Sequence, residues 1–296
     1  MTSWEVTHKE SGTKLLTFLK EKLGASVSSR ELKKALDDNL CQINRRVERF
    51  GTFQLGPGDQ VTLNKSFKQK NDKSISFKTK HCLYEDDDLL IYDKPSGIAS
   101  DSPLLLKALQ RGLSFLALTH RLDRDTTGAL IFAKTPSATE KMMALFKQRQ
   151  VLKTYLAIVD GTPRKPSGLI DNFLGPLHRY QGQTIQGVMP PPKGLQAITA
   201  WECIQRGNGA ALLRCFPKTG RTHQLRVHLS TMGHPILGDH QYGKEFRCPY
   251  QPERYLLHAE SVSFTHPCKG TLIKVEAPQP EDFSQAIDQL LRSSPR

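Results

Sequence analysis

The densest group of reactive side chains lies in the segment His120-Arg121-Leu122-Asp123-Arg124-Asp125. Two carboxylates and three cations stand within six residues, shortly before the apolar run at 129–133. Such a cluster is either a salt-bridged turn or a site at which a cation keeps a carboxylate ionised. Taken alone, the cluster favours the salt-bridged turn, because that is the commoner arrangement.

A second basic segment strengthens the interpretation as a site. Thr219-Gly220 indicates a turn, and Arg221, His223 and Arg226 follow it closely. Basic side chains there can hold a carboxylate ionised or bind phosphate. Arg226 is accordingly a candidate phosphate-binding residue.

Five longer motifs occur in one order along the chain: HRLDRDTTG, KTYLAIVDG, TGRTHQLRVHL, GHPILGDHQYG and LLHAESVSFTHP. With KPSG at 94–97, they resemble the RluA-type family of RNA pseudouridine synthases. The resemblance extends from about Leu83 to Pro267. One departure is Thr127, where Ser is usual, and since the hydroxyl is retained we expect little consequence.

The resemblance implies a role for each of five residues. Asp123 matches the catalytic aspartate, and Arg221 matches its basic partner. Tyr155 matches an active-site tyrosine that packs on the base and is a candidate for handling its C5 proton. Arg121 matches an arginine that helps to displace the target base, and Leu225 matches an apolar residue lining the pocket.

The implied reaction breaks the N1–C1′ bond of uridine, turns the base and joins C5 to C1′. It involves no oxidation or reduction, so we expect no cofactor and no metal. Asp123 has three possible routes, which are attack on C1′, attack on the base and removal of the C2′ proton. A stacked uridine must be flipped out at a cost of a few kcal/mol, and Arg121 can fill the vacated space.

Two other kinds of site were considered. Four histidines invite a metal site, but none shows the spacing of H-E-x-x-H, and the glycines and proline between them favour turns; they are His223, His228, His234 and His240. A glycosidase pair of Asp123 and Asp125 is conceivable. The intervening Arg124 favours surface ion pairing for Asp125 instead.

The charge distribution predicts a polyanionic partner. The net charge is +13, and residues 1–80 hold 16 basic against 9 acidic side chains, a balance of +7. Crowded positive charge favours nucleic acid, because binding to phosphate releases counterions. The family resemblance implies that this nucleic acid is structured RNA, with Arg226 among its candidate contacts. The S4-like N-terminal region favours large-subunit ribosomal RNA as the substrate, and transfer RNA is possible.

The N-terminal region is similar to an S4-like RNA-binding domain. Helices are predicted at 13–23 and from Ser28, where Ser28 and Glu31 form a capping-box pattern, followed by short strands at 40–44 and 61–63. Asn44-Arg45 stands where such a domain commonly has Asn-Gly, and Arg45 and Arg46 are candidate RNA contacts. We predict an S4-like domain over 1–64, a basic linker over 65–80 and a catalytic domain over 81–296.

The larger domain is predicted to be α+β. Strands are expected at 89–92, 153–159, 211–215 and 261–264, with helices from a Ser137–Glu140 capping box to about 149 and over 281–291, and loops over 163–194. A mixed, largely antiparallel sheet is what the family resemblance implies. The six cysteines are expected to be free thiols, since they are far apart and form no C-x-x-C pair.

The sequence also limits location and assembly. It contains neither an apolar run of about 20 residues nor a signal-peptide pattern, so we expect a cytoplasmic protein with no membrane contact. A monomer is the default expectation. The main alternative to an enzyme is a non-catalytic RNA-binding protein, and the second is a glycoside or nucleoside hydrolase.

Overall fold

The computed structural model describes residues 2–24, 27–37, 39–64, 78–180, 183–243 and 245–291. The chain divides into two compact units, which are Met1–Lys73 with Arg179–Thr184 and Ser74–His178 with Ile185–Arg296. The predicted basic linker at 65–80 falls mostly outside the described residues. Its last described residues begin a 3-10 turn, Thr79–His81.

The first unit is a four-stranded antiparallel sheet with two helices. The sheet has the order β1-β4-β2-β3. The elements are β1 (Thr2–Glu5), α1 (Leu15–Leu23), α2 (Ser29–Asp37), β2 (Cys41–Ile43), β3 (Arg46–Val47) and β4 (Gln60–Leu63). The capping box is present, since the Ser28 backbone N–H donates to Glu31 at 2.7 Å and the Glu31 N–H donates back to Ser28 Oγ at 3.2 Å.

The turn between β2 and β3 is built without glycine. Asn44 and Arg45 have φ values of 51° and 68°, both in the left-handed region, and Ile43 pairs with Arg46 across the turn. Two such residues in succession define the type I′ turn of tight hairpins. The side chain of Asn44 stabilises this left-handed turn, because its Nδ2 donates to Asp59 Oδ1 at 2.8 Å. Arg45 is therefore held at the tip of the hairpin.

The second unit is built on one eleven-stranded sheet. Its order is β11-β10-β12-β13-β9-β14-β8-β6-β5, with β15 on β14 and β7 on β8. Among its described residues, β14 and β8 pair in parallel, and the other strand pairs are antiparallel. The α+β, largely antiparallel class is therefore confirmed. The strands are β5 (Cys82–Glu85), β6 (Leu89–Lys94), β7 (Ala117–Leu118), β8 (Thr127–Ala133), β9 (Leu152–Asp160), β10 (Ser167–Tyr180), β11 (Gln183–Val188), β12 (Leu195–Arg206), β13 (Ala210–Pro217), β14 (Leu257–Thr265) and β15 (Leu272–Glu276).

Four helices complete this unit, namely α3 (Pro103–Gln110), α4 (Pro136–Lys147), α5 (Gln224–Thr231) and α6 (Glu281–Leu290). The predicted capping box at Ser137 is wrong. The N-cap of α4 is Thr135, whose side chain accepts from the Ala138 N–H at 3.1 Å, and Pro136 occupies the first helical position.

The predicted loops at 163–194 are wrong in their larger part. Most of this segment forms β10 and β11, and residues 167–174 of β10 pair with β12. Glycine and proline were interpreted as turn signals, but Gly168 lies within the strand against Trp201, where an added Cβ would come within 2.9 Å of the indole Nε1. Glycine here provides room for a neighbour, which a turn-based interpretation overlooks.

The sheet brings three segments together. β8 is buried along its whole length, and the turn carrying Asp123 leads directly into it. β9 carries Tyr155, and α5 carries Leu225 and Arg226. No helix among the described residues is long and apolar enough to cross a membrane.

Candidate active site

Asp123 lies in the turn before β8, and 27% of its side chain is exposed. Arg226 Nη1 lies 3.6 Å from its Oδ2, and His223 Nε2 lies 4.0 Å from its Oδ1. Within the described residues, these are the only basic side chains within 4.0 Å of the carboxylate. The expected pairing of Asp123 with Arg221 is therefore wrong, and the arginine that pairs with it is Arg226.

Arg226 is 5% exposed and its nitrogens bind protein groups, which does not favour the predicted role of this residue in RNA binding. Its guanidinium donates twice to Asp239, at 2.7 and 2.8 Å, and once to Gln241 at 2.8 Å. Its Cζ lies 4.9 Å from the ring centre of Tyr242 and 4.4 Å from that of Tyr255. Burial opposes the charge, but the carboxylate of Asp239 raises the pKa of Arg226 above its ordinary value. Arg226 is thus a fixed cation that faces Asp123.

Arg221 points elsewhere. Its Nε donates to the carbonyl of Gln196 on β12 at 2.9 Å, and its backbone N–H donates to Gln224 at 3.0 Å. Arg221 lies in the turn before α5, whereas Arg226 lies within the helix, on the side that meets Asp239. Spacing in the sequence shows two arginines five residues apart, and only the helix direction decides which one faces Asp123.

His223 links Asp123 to the neighbouring hairpin. It precedes α5 with a left-handed φ of 55°, and its Nδ1 lies 2.7 Å from the hydroxyl of Tyr242. The same hydroxyl accepts from the backbone N–H of Gln186 on β11 at 3.1 Å. Burial, followed by the charge of Arg226, lowers the pKa of His223. The imidazole is therefore held neutral, although the sequence indicated His223 only as one of three basic side chains that could hold a carboxylate ionised or bind phosphate.

Tyr155 stands on β9, opposite Cys215 of β13 and Ala259 of β14. Burial first, and then the negative charge of Asp123, raises the pKa of its phenol well above the ordinary range. Among the described residues, its hydroxyl has no hydrogen-bond partner. The phenol therefore stays protonated in the free protein. Its neutral ring can pack on a base, but a phenolate that would take up a proton is disfavoured.

Arg121 and Leu225 occupy opposite environments. Arg121 is 72% exposed, and its Nη2 lies 3.4 Å from Asp101, which is also exposed. Such a side chain is able to move into a space vacated by a flipped base. Leu225 is 6% exposed and belongs to the apolar cluster against which Tyr155 packs, so it supports the site from within the core.

Lys94 ties the KPSG turn to the turn of Asp123. It is fully buried, and its ammonium donates to the carbonyls of Pro95, Ile98 and Arg124 at 2.9, 2.9 and 2.8 Å. Burial lowers its pKa to about 7, against the opposing charge of Asp125. From the sequence, KPSG was interpreted only as one of the motifs of the family resemblance, and the structure shows that its lysine supports the turn of Asp123.

Asp125 is 2% exposed, so its expected position at the surface is wrong. Its carbonyl accepts from Arg254 Nη1 at 3.0 Å, and Arg254 also binds Asp282 of α6 through Nε at 2.6 Å. Thr127, the residue that replaces Ser, keeps its hydroxyl 2.9 Å from His258 Nδ1. These buried bonds connect the turn that carries Asp123 to α6 and β14.

The other histidines have structural partners. His228 lies between Thr199, at 2.9 Å, and Asn172, at 3.0 Å, and His234 Nδ1 is bonded to the carbonyl of Asp160 at 2.8 Å. No group of three or more potential metal ligands occurs in the part of the chain that the structure describes.

In the first unit, Arg45 lies at the turn of the β2–β3 hairpin and Arg46 on its second strand, both exposed. Of the residues predicted for the site, the structure therefore brings Asp123, Tyr155, Leu225 and Arg226 together, with Arg221 and Arg121 near the same segments.

The mixed sheet holds a partly exposed carboxylate against a buried arginine and a neutral tyrosine. This arrangement defines a class of protein suited to glycosidic chemistry, which involves no oxidation or reduction. The family model described as RNA pseudouridylate synthase matches residues 88–231. The chain is 34% identical over 263 residues to ribosomal large subunit pseudouridine synthase C of Vibrio vulnificus (strain CMCP6), covering 82% of each chain. The enzyme of the same name from Escherichia coli (strain K12) is 31% identical over 312 residues, covering 96% of this chain and 95% of that one.

A solved structure shows the same fold. Human RNA pseudouridylate synthase domain containing 4 is 27% identical, with a TM-score of 0.60, covering 73% of this chain and 95% of that chain. The chain belongs to the RluA-type RNA pseudouridine synthase family, and it is an isomerase that acts on RNA.

Proposed function

We propose that this protein converts uridine to pseudouridine in large-subunit ribosomal RNA, with Asp123 as the catalytic carboxylate. The observation that carries the proposal is the position of Asp123, which is open to a substrate while Arg226 faces it at 3.6 Å. A cation so placed keeps a carboxylate ionised for any of the three routes. The names of the bacterial relatives support the choice of RNA.

Each neighbouring residue has a part in the proposed reaction. The ring of Tyr155 packs on the flipped uracil, and Arg121 takes the place of the base in the RNA stem. After the N1–C1′ bond breaks and C5 joins C1′, the proton leaves C5 and N1 gains one. The number of atoms and electrons in the RNA is unchanged, so no small-molecule cofactor takes part.

The first unit extends the RNA contact in this proposal. Residues 1–64 form an S4-like domain whose hairpin presents Arg45 and Arg46 to phosphate, residues 65–80 form a basic linker, and residues 81–296 carry the chemistry. The protein acts in the cytoplasm as a monomer, and transfer RNA is the second substrate to be tested.

The proposal is tested by tritium release from large-subunit ribosomal RNA that is transcribed in vitro with tritium at uridine C5. Wild type should release tritium without added metal or cofactor, and Asp123→Asn should release none. Asp87→Asn is the matched control, because it removes an exposed carboxylate outside the site and should match wild type.

Other outcomes identify the alternatives. Binding without release, on ribosomal and transfer RNA alike, would identify a non-catalytic RNA-binding protein. Free uracil among the products would identify a hydrolase. Equal release by wild type and Asp123→Asn would show that Asp123 is not the catalytic carboxylate.

A further inference from the structure

Lys153 is a cation close to the site, and the reaction as described gives this residue no role. It lies on β9, two residues before Tyr155. Its Nζ lies 3.8 Å from the position that a Cβ on Gly220 would occupy, so it reaches the turn that precedes α5. Its charge also lowers the pKa of His120, after burial, and His120 begins the HRLD motif. The ammonium thus lies near both segments that form the site.

The ammonium of Lys153 has no partner of opposite charge. Among the described residues it makes neither an ion pair nor a side-chain hydrogen bond, and burial lowers its pKa to about 8. Lys94 shows the contrast, since each of its three donors binds a carbonyl within 2.9 Å. A partly buried ammonium with no acceptor is unfavourable, and an anionic ligand relieves that cost.

A second cation flanks the same glycine. Arg221 follows Gly220 directly and uses Nε for the carbonyl of Gln196, but within the described residues its two terminal nitrogens have no partner. The nearest site carboxylate does not neutralise these cations, because Asp123 pairs with Arg226 and His223. The turn at Gly220 therefore carries two cations with donors to spare.

We propose that Lys153 and Arg221 form an anion subsite that binds a phosphodiester group of the RNA strand beside the flipped uridine. The inference rests on the proposed function, since it takes RNA as the ligand. Lysine contributes a compact charge and arginine a planar pair of donors, and phosphate accepts both. Gly220 leaves the approach open, because it has no side chain and an added Cβ would meet only Lys153 within 4 Å.

The test is the salt dependence of RNA binding. The dissociation constant for the large-subunit transcript is measured between 50 and 200 mM salt for wild type, Lys153→Met, Lys153→Arg and Arg221→Gln. Losing one phosphate contact should reduce the slope of log K against log salt by about 0.7 for an unpaired strand. We expect that reduction for Lys153→Met and Arg221→Gln, and the wild-type slope for Lys153→Arg.

Lys274→Met is the matched control. It removes the same formal charge from an exposed lysine on β15 that pairs with Glu276 at 3.2 Å, and its slope should equal that of wild type. In tritium release, Lys153→Met should raise KM about tenfold and leave kcat within about twofold, as expected for the loss of one charged hydrogen bond.

Two further readouts separate binding from folding. Circular dichroism checks that each variant is folded, and Arg221→Gln provides the same test if Lys153→Met unfolds. If both cations bind one phosphate, the double variant should lose less affinity than the product of the two single losses.

The proposal is overturned if Lys153→Met and Arg221→Gln keep the wild-type slope, or if Lys274→Met reduces it equally. A raised KM with an unchanged slope would place Lys153 on the base and would also overturn it. Wild type that binds RNA but releases no tritium would defeat only the proposed function, because the slopes are measured on binding.

Discussion

At the residue scale, the cation that faces Asp123 is held by a second carboxylate. Arg226 forms a bidentate pair with Asp239, which is 1% exposed, and turns its remaining nitrogen toward Asp123. One arginine therefore stabilises the core and sets the charge of the site. Arg221 has no such double role, since its side chain bonds only to a carbonyl among the described residues.

This difference gives the first prediction. Arg226→Met leaves Asp239 buried without a cation, so the free energy of unfolding should fall by about 3–5 kcal/mol. Arg221→Gln should change it by less than about 1 kcal/mol. Urea unfolding of both variants checks the contrast. Equal losses of unfolding free energy in the two variants would mean that the burial of Asp239 does not depend on the charge of Arg226.

The sequence predicted the site residues unevenly. Asp123 was predicted because it stands where the family motif has its catalytic aspartate. Tyr155 was predicted because it stands where the family motif has its active-site tyrosine. The arginine was assigned wrongly because TGRTHQLR offers two candidates, and the decision depends on where α5 begins. The supports provided by Lys94 and Arg254 act through backbone carbonyls, which leave no trace in residue type.

At the element scale, the parallel pairing of β8 with β14 depends on Gly128. This residue has a φ of 109°, and an added Cβ would overlap the backbone of Ala259 on β14. The pairing matters for the site, because β8 begins directly after the turn that carries Asp123. Glycine is therefore required here for both conformation and space.

The second prediction concerns this contact. Gly128→Ala should lower the free energy of unfolding by at least about 3 kcal/mol, since strain and overlap add. Gly220→Ala is the control, because its φ is ordinary and its nearest neighbour is 3.8 Å from the added Cβ. Thermal unfolding compares the two. A stable Gly128→Ala protein would show that β8 and β14 can separate without loss.

Helices and strands were predicted best where a single hydrophobic period ended at a clear turn or capping signal. The helix α1 ends at Leu23 with Gly24 as its C-cap, and β9 and α6 lie within a residue or two of their predicted ends. The β10–β11 hairpin was missed because its glycines and Pro176 resemble loop signals, while its pairing with β12 is a long-range property. Local patterns carry no information about such a partner.

At the scale of the whole molecule, several buried histidines make the fold sensitive to acid. Burial lowers the pKa of His228 to about 4 and that of His120 to about 3, and it also lowers those of His223 and His258. As the pH falls, the histidines of the unfolded chain take up protons near pH 6.5, whereas those of the folded chain do so only at a lower pH. Stability is therefore full above that pH and is lost as the pH falls toward 4.

The third prediction follows from His228. Its fall from 6.5 to about 4 corresponds to about 3 kcal/mol, at 1.36 kcal/mol per pH unit. Urea unfolding near pH 5 should show that His228→Asn takes up about one proton fewer on unfolding than wild type. The exposed His178→Asn should show the wild-type dependence. Identical pH profiles for all three proteins would contradict the assignment.

The fourth prediction concerns the first unit. Deleting residues 1–64 should weaken RNA binding and flatten its salt dependence, because the ten basic side chains of this segment include the exposed Arg45 and Arg46. The rate of tritium release at saturating RNA should change much less. Equal salt slopes with and without the segment would show that it makes no net contact with phosphate.

The buried ammonium of Lys94 has a consequence for substitution. Its three donors point in tetrahedral directions, and all three are taken by carbonyls from two separate turns. A guanidinium keeps the positive charge but spreads its donors in one plane, so it cannot satisfy the same three carbonyls. The identity of the residue before Pro95 is thus fixed by the directions of its bonds, whereas the side chains at positions 98 and 124 can change without removing the carbonyls that accept them.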